Sequence, residues 1–187
     1  MYEKYFAERT KPIKASAIRE MFKLMADPEV ISLAGGSPAP ELFPGEELAR
    51  LAEEILRKNP TAALQYGTTD GYAPFKEMAK KRAEKVNSFG KNDKIIITTG
   101  AQQAIDLAAK VLINEGDKVV VEAPTFVGTL NSLRFYRADL IGVPLSDDGM
   151  DTDELENVLK NNDIKLIYTI PTFQNPSGIT MSLEKRK

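Results

Sequence analysis

Alternation between β-branched runs and amphipathic stretches over residues 94–169 is the feature that most limits how this chain can fold. Continuous apolar runs of this kind are typical of strands buried on both faces of a parallel sheet. The stretches between them have the apolar spacing of helices that pack on such a sheet. The predicted strands are 95–98, 118–122, 140–143 and 164–169, and the predicted helices between them are 101–114, 126–136 and 152–160. The pattern predicts an α/β fold with a mostly parallel sheet in three layers, α/β/α.

The part of the chain before this alternation is predicted to be largely helical, beginning with an N-terminal helical segment. Apolar residues recur at helical spacing in three stretches, 13–25, 46–58 and 73–88. Asp27-Pro28 ends the first stretch and Asn59-Pro60 ends the second, because the residue before a proline is biased away from helical backbone angles.

Composition removes several kinds of chemistry. The 187 residues include no Cys and no His, so a disulfide, a thiolate nucleophile and a Ser-His-Asp triad are impossible, and no metal site is predicted. The 25 basic and 27 acidic residues nearly balance, which argues against nucleic acid as a partner. No apolar run is long enough for a membrane span, and Met1 is not followed by a signal-peptide core. We therefore expect a cytoplasmic protein without a membrane partner.

Candidate binding residues lie at the carboxyl ends of the predicted strands, where open parallel sheets bind their ligands. Gly100, Ala101 and Gln102 begin a helix directly after a strand, an arrangement that presents backbone N–H groups to a phosphate. Phe126 follows the next strand and offers a face for stacking on a flat ring. Asn175 follows the last strand, and the proline after it favours an extended backbone that directs its amide into the crevice.

Each of these features has an ordinary explanation when it is taken alone. The glycine turn equally fits a simple βα connection, Phe126 equally fits a core position, and Asn175 equally fits a plain Asn-Pro turn. Together they suit a flat, phosphorylated, heteroaromatic ligand, and a dinucleotide fits them less well.

Five segments of the chain carry a resemblance to a known family. They are 30–44 (VISLAGGSPAPELFP), 64–71 (LQYGTTDG), 98–107 (TTGAQQAIDL), 122–126 (EAPTF) and 170–178 (IPTFQNPSG). In this order they resemble the fold-type-I aminotransferases that use pyridoxal phosphate, most closely the subgroup handling aminoadipate, aromatic and branched-chain amino acids. The resemblance implies a homodimeric enzyme of amino acid metabolism, in a biosynthetic process, that transfers an amino group from an amino acid to a 2-oxo acid.

The resemblance implies a role for each candidate residue. The backbone N–H groups of Gly100 and Ala101, together with Gln102, would bind the phosphate of the pyridoxal 5'-phosphate cofactor. Phe126 would stack on its pyridine ring. Asn175 would bond the phenolic oxygen of the ring and lie near the substrate carboxylate.

Other positions would serve the substrate or the partner subunit. Tyr66 would reach the phosphate of the cofactor held by the partner subunit. Gly35 and Gly36 would leave room for the substrate. Ser16 and Arg19 match polar positions of a helix that caps the pocket in this subgroup, where Arg19 would meet a distal carboxylate. An exposed helix charge is the alternative interpretation of Arg19.

The chain also departs from the family, whose members are roughly twice as long because they have two domains. The Schiff-base Lys of the family follows the Asn-Pro-x-Gly motif and is absent here, so no catalytic residue is predicted and the 187 residues alone are expected to be inactive. We interpret them as the N-terminal part of an aminotransferase. Residues 1–45 are predicted to be an N-terminal arm and small-domain segment, and 46–187 a partial large, cofactor-binding domain.

Two alternatives stay open at this point. One is a non-catalytic, ligand-sensing module of the same fold. The other is an unrelated phosphate-binding α/β domain, which the glycine turn at Gly100 alone would support.

Overall fold

The computed structural model describes residues 2–11, 29–31 and 38–187. The predicted helix over 13–25, with Ser16 and Arg19, lies outside the described residues, as do Gly35 and Gly36. Within the described ranges no helix has both the length and the apolar character that are needed to cross a lipid bilayer. The chain divides into two compact units, Met1–Lys14 with Thr99–Lys187 and, separately, Ala15–Thr98.

Three helices form the described part of the Ala15–Thr98 unit. They are α1 (Gly45–Lys58), α2 (Pro60–Leu64) and α3 (Ala73–Lys85), and a 3-10 turn at Pro40–Leu42 precedes them. The helix predicted for 46–58 is confirmed, and its acidic first turn and basic last turn match the helix macrodipole. The helix predicted for 73–88 ends earlier than expected, because Asn87 adopts a φ of +53° that does not continue a right-handed helix.

The loop before α3 is held by hydrogen bonds among its own residues. The Gly71 N–H donates to the Thr68 carbonyl oxygen at 3.0 Å, and Thr68 Oγ1 donates back to the Gly71 carbonyl oxygen at 2.8 Å. On α3, Lys76 Nζ binds the carboxylate of Asp70. This hydrogen bond, with a lesser effect of a hydrogen bond from Thr68, holds the pKa of Asp70 below its ordinary value. The loop is therefore fixed both within itself and to the following helix.

Residues 95–98 are not a strand, so this part of the sequence prediction is wrong. The Ile97 N–H donates to the Asp70 carbonyl oxygen at 3.0 Å, but no strand in the described part of the chain pairs with the segment. The Ile96 side chain is 65% exposed. A β-branched run favours extended backbone, yet it becomes a strand only where a neighbouring strand completes the ladder.

The Thr99–Lys187 part of the other unit contains a four-stranded sheet. The strands are β1 (Lys118–Ala123), β2 (Asp139–Ser146), β3 (Gly149–Met150) and β4 (Ile164–Tyr168), and the helices are α4 (Gly100–Leu112), α5 (Val127–Phe135), α6 (Thr152–Asn161) and α7 (Leu183–Arg186). The order is β3-β2-β1-β4. Strand β1 runs parallel to both β2 and β4, whereas β3 is antiparallel to β2. Three of the four predicted strands are confirmed, and β3 was not predicted.

Successive residues of β1 face opposite sides of the sheet, and this places helices on both faces. Val119 and Val121 pack in one apolar cluster with residues of α4 and α5. Val120, which lies between them, packs in a second cluster with Val158 of α6. The α/β class and the three-layer order expected from the sequence are therefore confirmed.

The C-terminal segment is tied to the turn between β2 and β3. Ser182 caps α7, since its side chain accepts a hydrogen bond from the Lys185 N–H at 3.3 Å. The Ser182 N–H donates to the Asp148 carbonyl oxygen at 3.0 Å. Lys185 Nζ lies 2.8 Å from Asp148 Oδ1. Helix α7 therefore begins beside the turn between β2 and β3, and an ion pair anchors it there.

This ion pair gives a testable dependence on pH. The hydrogen bond from Lys185, with lesser effects of hydrogen bonds from Ser182 and Ser146, holds the pKa of Asp148 below its ordinary value. Because the folded pKa is lowered, the stabilisation is complete above the unfolded pKa and is lost as the pH falls through the folded one. We expect Asp148→Asn to lower the urea midpoint at neutral pH, and this deficit to close as the pH falls below about 4.

Asp147→Asn is the matched control for this experiment, since Asp147 is exposed and is the neighbour of Asp148 in the same turn. The control should leave the urea midpoint unchanged at neutral pH. Two outcomes would show that the ion pair does not stabilise the C-terminal segment. The urea midpoint could fall equally in both variants at neutral pH, or the lower midpoint of Asp148→Asn could persist in acid.

Candidate functional site

Two of the predicted site residues lie at the same edge of the sheet. Phe126 follows β1, Asn175 lies in the loop after β4, and the two strands are parallel neighbours. Gln174 Nε2, next to Asn175 in the chain, donates to the Pro124 carbonyl oxygen at 2.8 Å. The structure thus joins the loops that carry these two residues, as expected from the carboxyl ends of parallel strands.

Gly100 provides open space at the N-terminus of α4. Its φ is +78°, and no atom would lie within 4 Å of a Cβ placed there. The preceding Thr99 does not cap the helix with its side chain. A helix of 13 residues directs its first N–H groups and the positive end of its dipole to this point, which favours a phosphate group.

Gln102 connects α4 to α5 in this structure. Its Nε2 donates to the Gly128 carbonyl oxygen at 3.1 Å and to Ser132 Oγ at 2.8 Å. Both amide hydrogens are therefore used within the protein, and donation from Gln102 to a phosphate stays a prediction. The contacts place the start of α4 beside the turn that carries Phe126.

Gly128 is a site residue that the sequence reasoning missed. A Cβ at this position would lie 2.5 Å from Phe126 Cε1 and 2.7 Å from Phe126 Cζ, and it would also collide with Gln102 Oε1. The absent side chain lets the Phe126 ring and the Gln102 amide lie over the first turn of α5. The two residues expected to hold the ring and the phosphate of a ligand thus depend on the same glycine.

Glu122 is the second site residue that the sequence analysis missed, although the segment 122–126 was noted there for its resemblance to the family. The side chain ends β1, is only 2% exposed and accepts three hydrogen bonds. Its Oε1 accepts from Thr169 Oγ1 at 2.5 Å and from the Ile170 N–H at 3.1 Å, and its Oε2 accepts from Gln174 Nε2 at 2.8 Å. A charged residue directly after three consecutive valines was the signal available from the sequence.

Gln174 completes this network and is also 2% exposed. Its Nε2 reaches both Glu122 and the Pro124 carbonyl oxygen. Its Oε1 accepts from the Ser177 N–H at 2.9 Å and from Ser177 Oγ at 2.6 Å. The neighbouring Asn175 is exposed, and among the described residues its side chain has no hydrogen-bond partner. Its peptide bond to Pro176 is cis.

Tyr66 belongs to the Ala15–Thr98 unit and is 99% exposed. Its backbone N–H donates to Gln65 Oε1 at 2.8 Å. The phenol is open to solvent, so the role expected for it across a dimer interface stays a prediction.

The fold and these loops define an α/β protein with a candidate phosphate site beside an aromatic face. The sequence profile of the family described as "Aminotransferase class I and II" matches residues 29–187. The chain therefore belongs to the class I and II aminotransferase family. The resemblance seen in the sequence is confirmed, and the alternative of an unrelated phosphate-binding domain is excluded.

Two curated relatives show how much of a family member the chain covers. It is 45% identical over 192 residues to the aromatic-amino-acid aminotransferase 1 of Thermococcus litoralis, covering 100% of this chain and 46% of that protein. It is 43% identical to the 2-aminoadipate transaminase of Thermus thermophilus, covering 97% of this chain and 45% of that protein. The chain thus spans about half the length of the curated relatives that it matches.

A solved structure supports the same assignment. The kynurenine aminotransferase of Pyrococcus horikoshii, in complex with PMP, is 42% identical and superposes with a TM-score of 0.91, covering 98% of this chain and 47% of that one. LysN, the α-aminoadipate aminotransferase of Thermus thermophilus, was solved with a phosphopyridoxyl-leucine and superposes with a TM-score of 0.84 at 40% identity. The α/β fold expected from the sequence is that of these enzymes.

Proposed function

We propose that the protein containing this chain uses pyridoxal 5'-phosphate to transfer an amino group from an amino acid to a 2-oxo acid. The observation that carries the proposal is the connected surface formed by Gly100, Gln102, Gly128 and Phe126. It combines a helix N-terminus, where a Cβ at Gly100 would meet no atom within 4 Å, with an aromatic ring that packs over Gly128. When bound, the cofactor supplies a ring that withdraws electrons from the amino acid's α-carbon.

The residues of the chain have separate tasks in this proposal. The N–H groups of Gly100 and Ala101 bind the phosphate, and Gln102 supports them. Phe126, half-buried at the start of α5, stacks on the ring and keeps water from one of its faces. The exposed Asn175 amide donates to the phenolic oxygen of the ring and stabilises negative charge there.

The remaining expectations belong to the same proposal. Tyr66 reaches the partner's cofactor in a homodimer, and its 99% exposure supports a task outside its own unit. The domain boundary at residue 45, the substrate contacts of Ser16, Arg19, Gly35 and Gly36, and the cytoplasmic location also stay predictions. The names of the relatives suggest aromatic amino acids and 2-aminoadipate as the first amino donors to test.

The test compares residues 1–187 with the complete protein that the gene encodes. We expect the complete protein to convert amino acids of these two kinds with a 2-oxo acid as acceptor, detected as the new amino acid. We expect residues 1–187 to show no turnover and no cofactor fixed to a single lysine after borohydride treatment and peptide mass spectrometry. A single lysine carrying the reduced cofactor in residues 1–187 would show that the expected inactivity is wrong.

Phe126→Leu supplies the matched variant, because it keeps an apolar side chain and removes the stacking ring. It should weaken cofactor binding to the complete protein by about threefold to tenfold, the value of one aromatic pair. A complete protein that binds the cofactor without turnover of any amino acid would favour the ligand-sensing alternative. A complete protein that does not bind the cofactor would contradict the proposed function.

A further inference from the structure

Glu122 and Gln174 form a buried network in which every side-chain oxygen and nitrogen has a hydrogen-bond partner. Gln174 donates both amide hydrogens to acceptors, and its oxygen accepts from two Ser177 donors. The side-chain orientation is therefore unambiguous, since exchanging nitrogen and oxygen would place donors against donors at Ser177. Each partner is fixed in one position by the others.

Stability alone does not account for this arrangement. Burying a carboxyl group and an amide costs hydration, and an apolar pair of similar volume often stabilises a protein as well or better. What the network adds is a fixed relation between two loops. It connects the end of β1 with the loop after β4, and those loops carry Phe126 and Asn175.

We propose that Glu122 and Gln174 are positioning residues of the cofactor site, which hold the Phe126 loop and the Asn175 loop in a single relative geometry. The proposal rests on the proposed function, because it concerns the ring that those loops would bind. Neither residue is assigned contact with the cofactor. Gln174 acts through its neighbour Asn175 and through the Pro124 carbonyl group.

Glu122→Gln is the decisive variant because it keeps the shape of the side chain. The new NH2 group faces either Gln174 Nε2 or the Ile170 N–H, depending on its orientation, and both choices set donor against donor. In the complete protein we expect cofactor affinity to fall about tenfold, the order of one buried donor left without an acceptor. We also expect a changed visible circular dichroism of bound pyridoxal phosphate and a shifted pH titration of that band, because the Asn175 amide moves away from the ring oxygen.

Two further variants separate positioning from stability. Val158→Ala removes methyl groups from the apolar cluster around Val120, which contains neither Glu122 nor Gln174, and should lower stability without changing the visible band or its pH titration. The double variant Glu122→Gln with Gln174→Glu restores the hydrogen bond between the two side chains. It leaves an acceptor against the Pro124 carbonyl oxygen, so we expect the visible signal to recover in part.

The outcomes distinguish this proposal from the proposed function. If wild-type protein binds pyridoxal phosphate and Glu122→Gln matches it in affinity, visible dichroism and pH titration, the positioning role is overturned and the function stands. The positioning role is also overturned if Val158→Ala changes the visible band as much as Glu122→Gln does. If wild-type protein binds no cofactor, both are overturned. Should Glu122→Gln fail to fold, Ser177→Ala removes two hydrogen bonds at an exposed residue, the one that Ser177 Oγ donates to Gln174 Oε1 and the one that it accepts from the Ile179 N–H, and it must shift the band in the same direction.

Discussion

Replacement of Gly71 by alanine is expected to destabilise the Ala15–Thr98 unit by about 2–6 kcal/mol. The backbone contributes about 1–3 kcal/mol of this, because Gly71 has a φ of +110° that residues with a Cβ rarely adopt. Steric overlap contributes a further cost of about 1–3 kcal/mol. The new Cβ would lie 2.6 Å from both Cβ and Cγ1 of Ile97. Movement of the tip of a flexible side chain cannot relieve this overlap, since Ile97 Cβ is attached to the backbone.

Urea denaturation followed by helical circular dichroism measures this effect, since α1 and α3 belong to the same unit. Gly67→Ala is the matched control in the same loop, where no atom lies within 4 Å of the added Cβ. It should change the free energy of unfolding by no more than about 0.5–1 kcal/mol. Similar urea midpoints for Gly71→Ala and wild type would contradict the role assigned to the loop.

Helices of this chain were predictable from sequence because their signals are local. Helix α1 has acidic residues in its first turn and basic ones in its last, and α6 begins at Asp151, whose side chain accepts hydrogen bonds from the Asp153 and Glu154 N–H groups. Strand β1 was predictable because its three consecutive valines are typical of a strand buried on both faces, and in the structure they pack in two apolar clusters. Patterns of this kind depend on residues within one or two turns of each other.

The segment 95–98 shows where this reasoning fails. Its three isoleucines and one threonine are β-branched and favour a strand, yet no strand in the described part of the chain pairs with them. The short strand β3 shows the opposite error, since Gly149 and Met150 have no strand pattern and pair with β2 through a tight turn. Pairing is a tertiary event, and propensity does not determine it.

The candidate site, like the fold, was predictable from sequence only in part. Phe126 and Asn175 follow strands, and their position after a strand is visible in the sequence. Gly100 begins a helix as predicted, although the segment before it is not a strand. The roles of Gly128, Glu122 and Gln174 depend on contacts between residues far apart in the chain. Gln102 and Gly128 are 26 residues apart, and Glu122 and Gln174 are 52 residues apart. Periodicity gives no information about such pairs, which become visible only after the sheet is assembled.

Replacement of Gly128 by alanine should separate cofactor binding from folding. Alanine is favoured over glycine inside a helix by about 1 kcal/mol, and this gain offsets part of the overlap with Phe126 and Gln102. The overlapping atoms lie at the ends of side chains, so the side chains can move away. We therefore expect the free energy of unfolding to change by less than about 1 kcal/mol, while the affinity of the complete protein for pyridoxal phosphate falls about tenfold.

The affinity falls because the Phe126 ring can avoid the new methyl group only by leaving its position. Stacking on the cofactor ring is worth about 0.5–1.5 kcal/mol, and movement of Gln102 disturbs the start of α4 as well. A visible titration with pyridoxal phosphate measures the affinity, and Gly45→Ala, where no atom lies within 4 Å of the added Cβ, is the matched change in another helix. Unchanged affinity in Gly128→Ala would show that Phe126 does not contact the cofactor.

The double variant with Phe126→Ala tests the cause directly. If Gly128 acts by holding the Phe126 ring, then adding Gly128→Ala to Phe126→Ala should cost little further affinity, because the ring is already gone. Any remaining loss of cofactor affinity measures the effect of the new methyl group on Gln102 and the start of α4. Fully additive losses would mean that the methyl group disturbs the phosphate end of the site and does not act through the Phe126 ring.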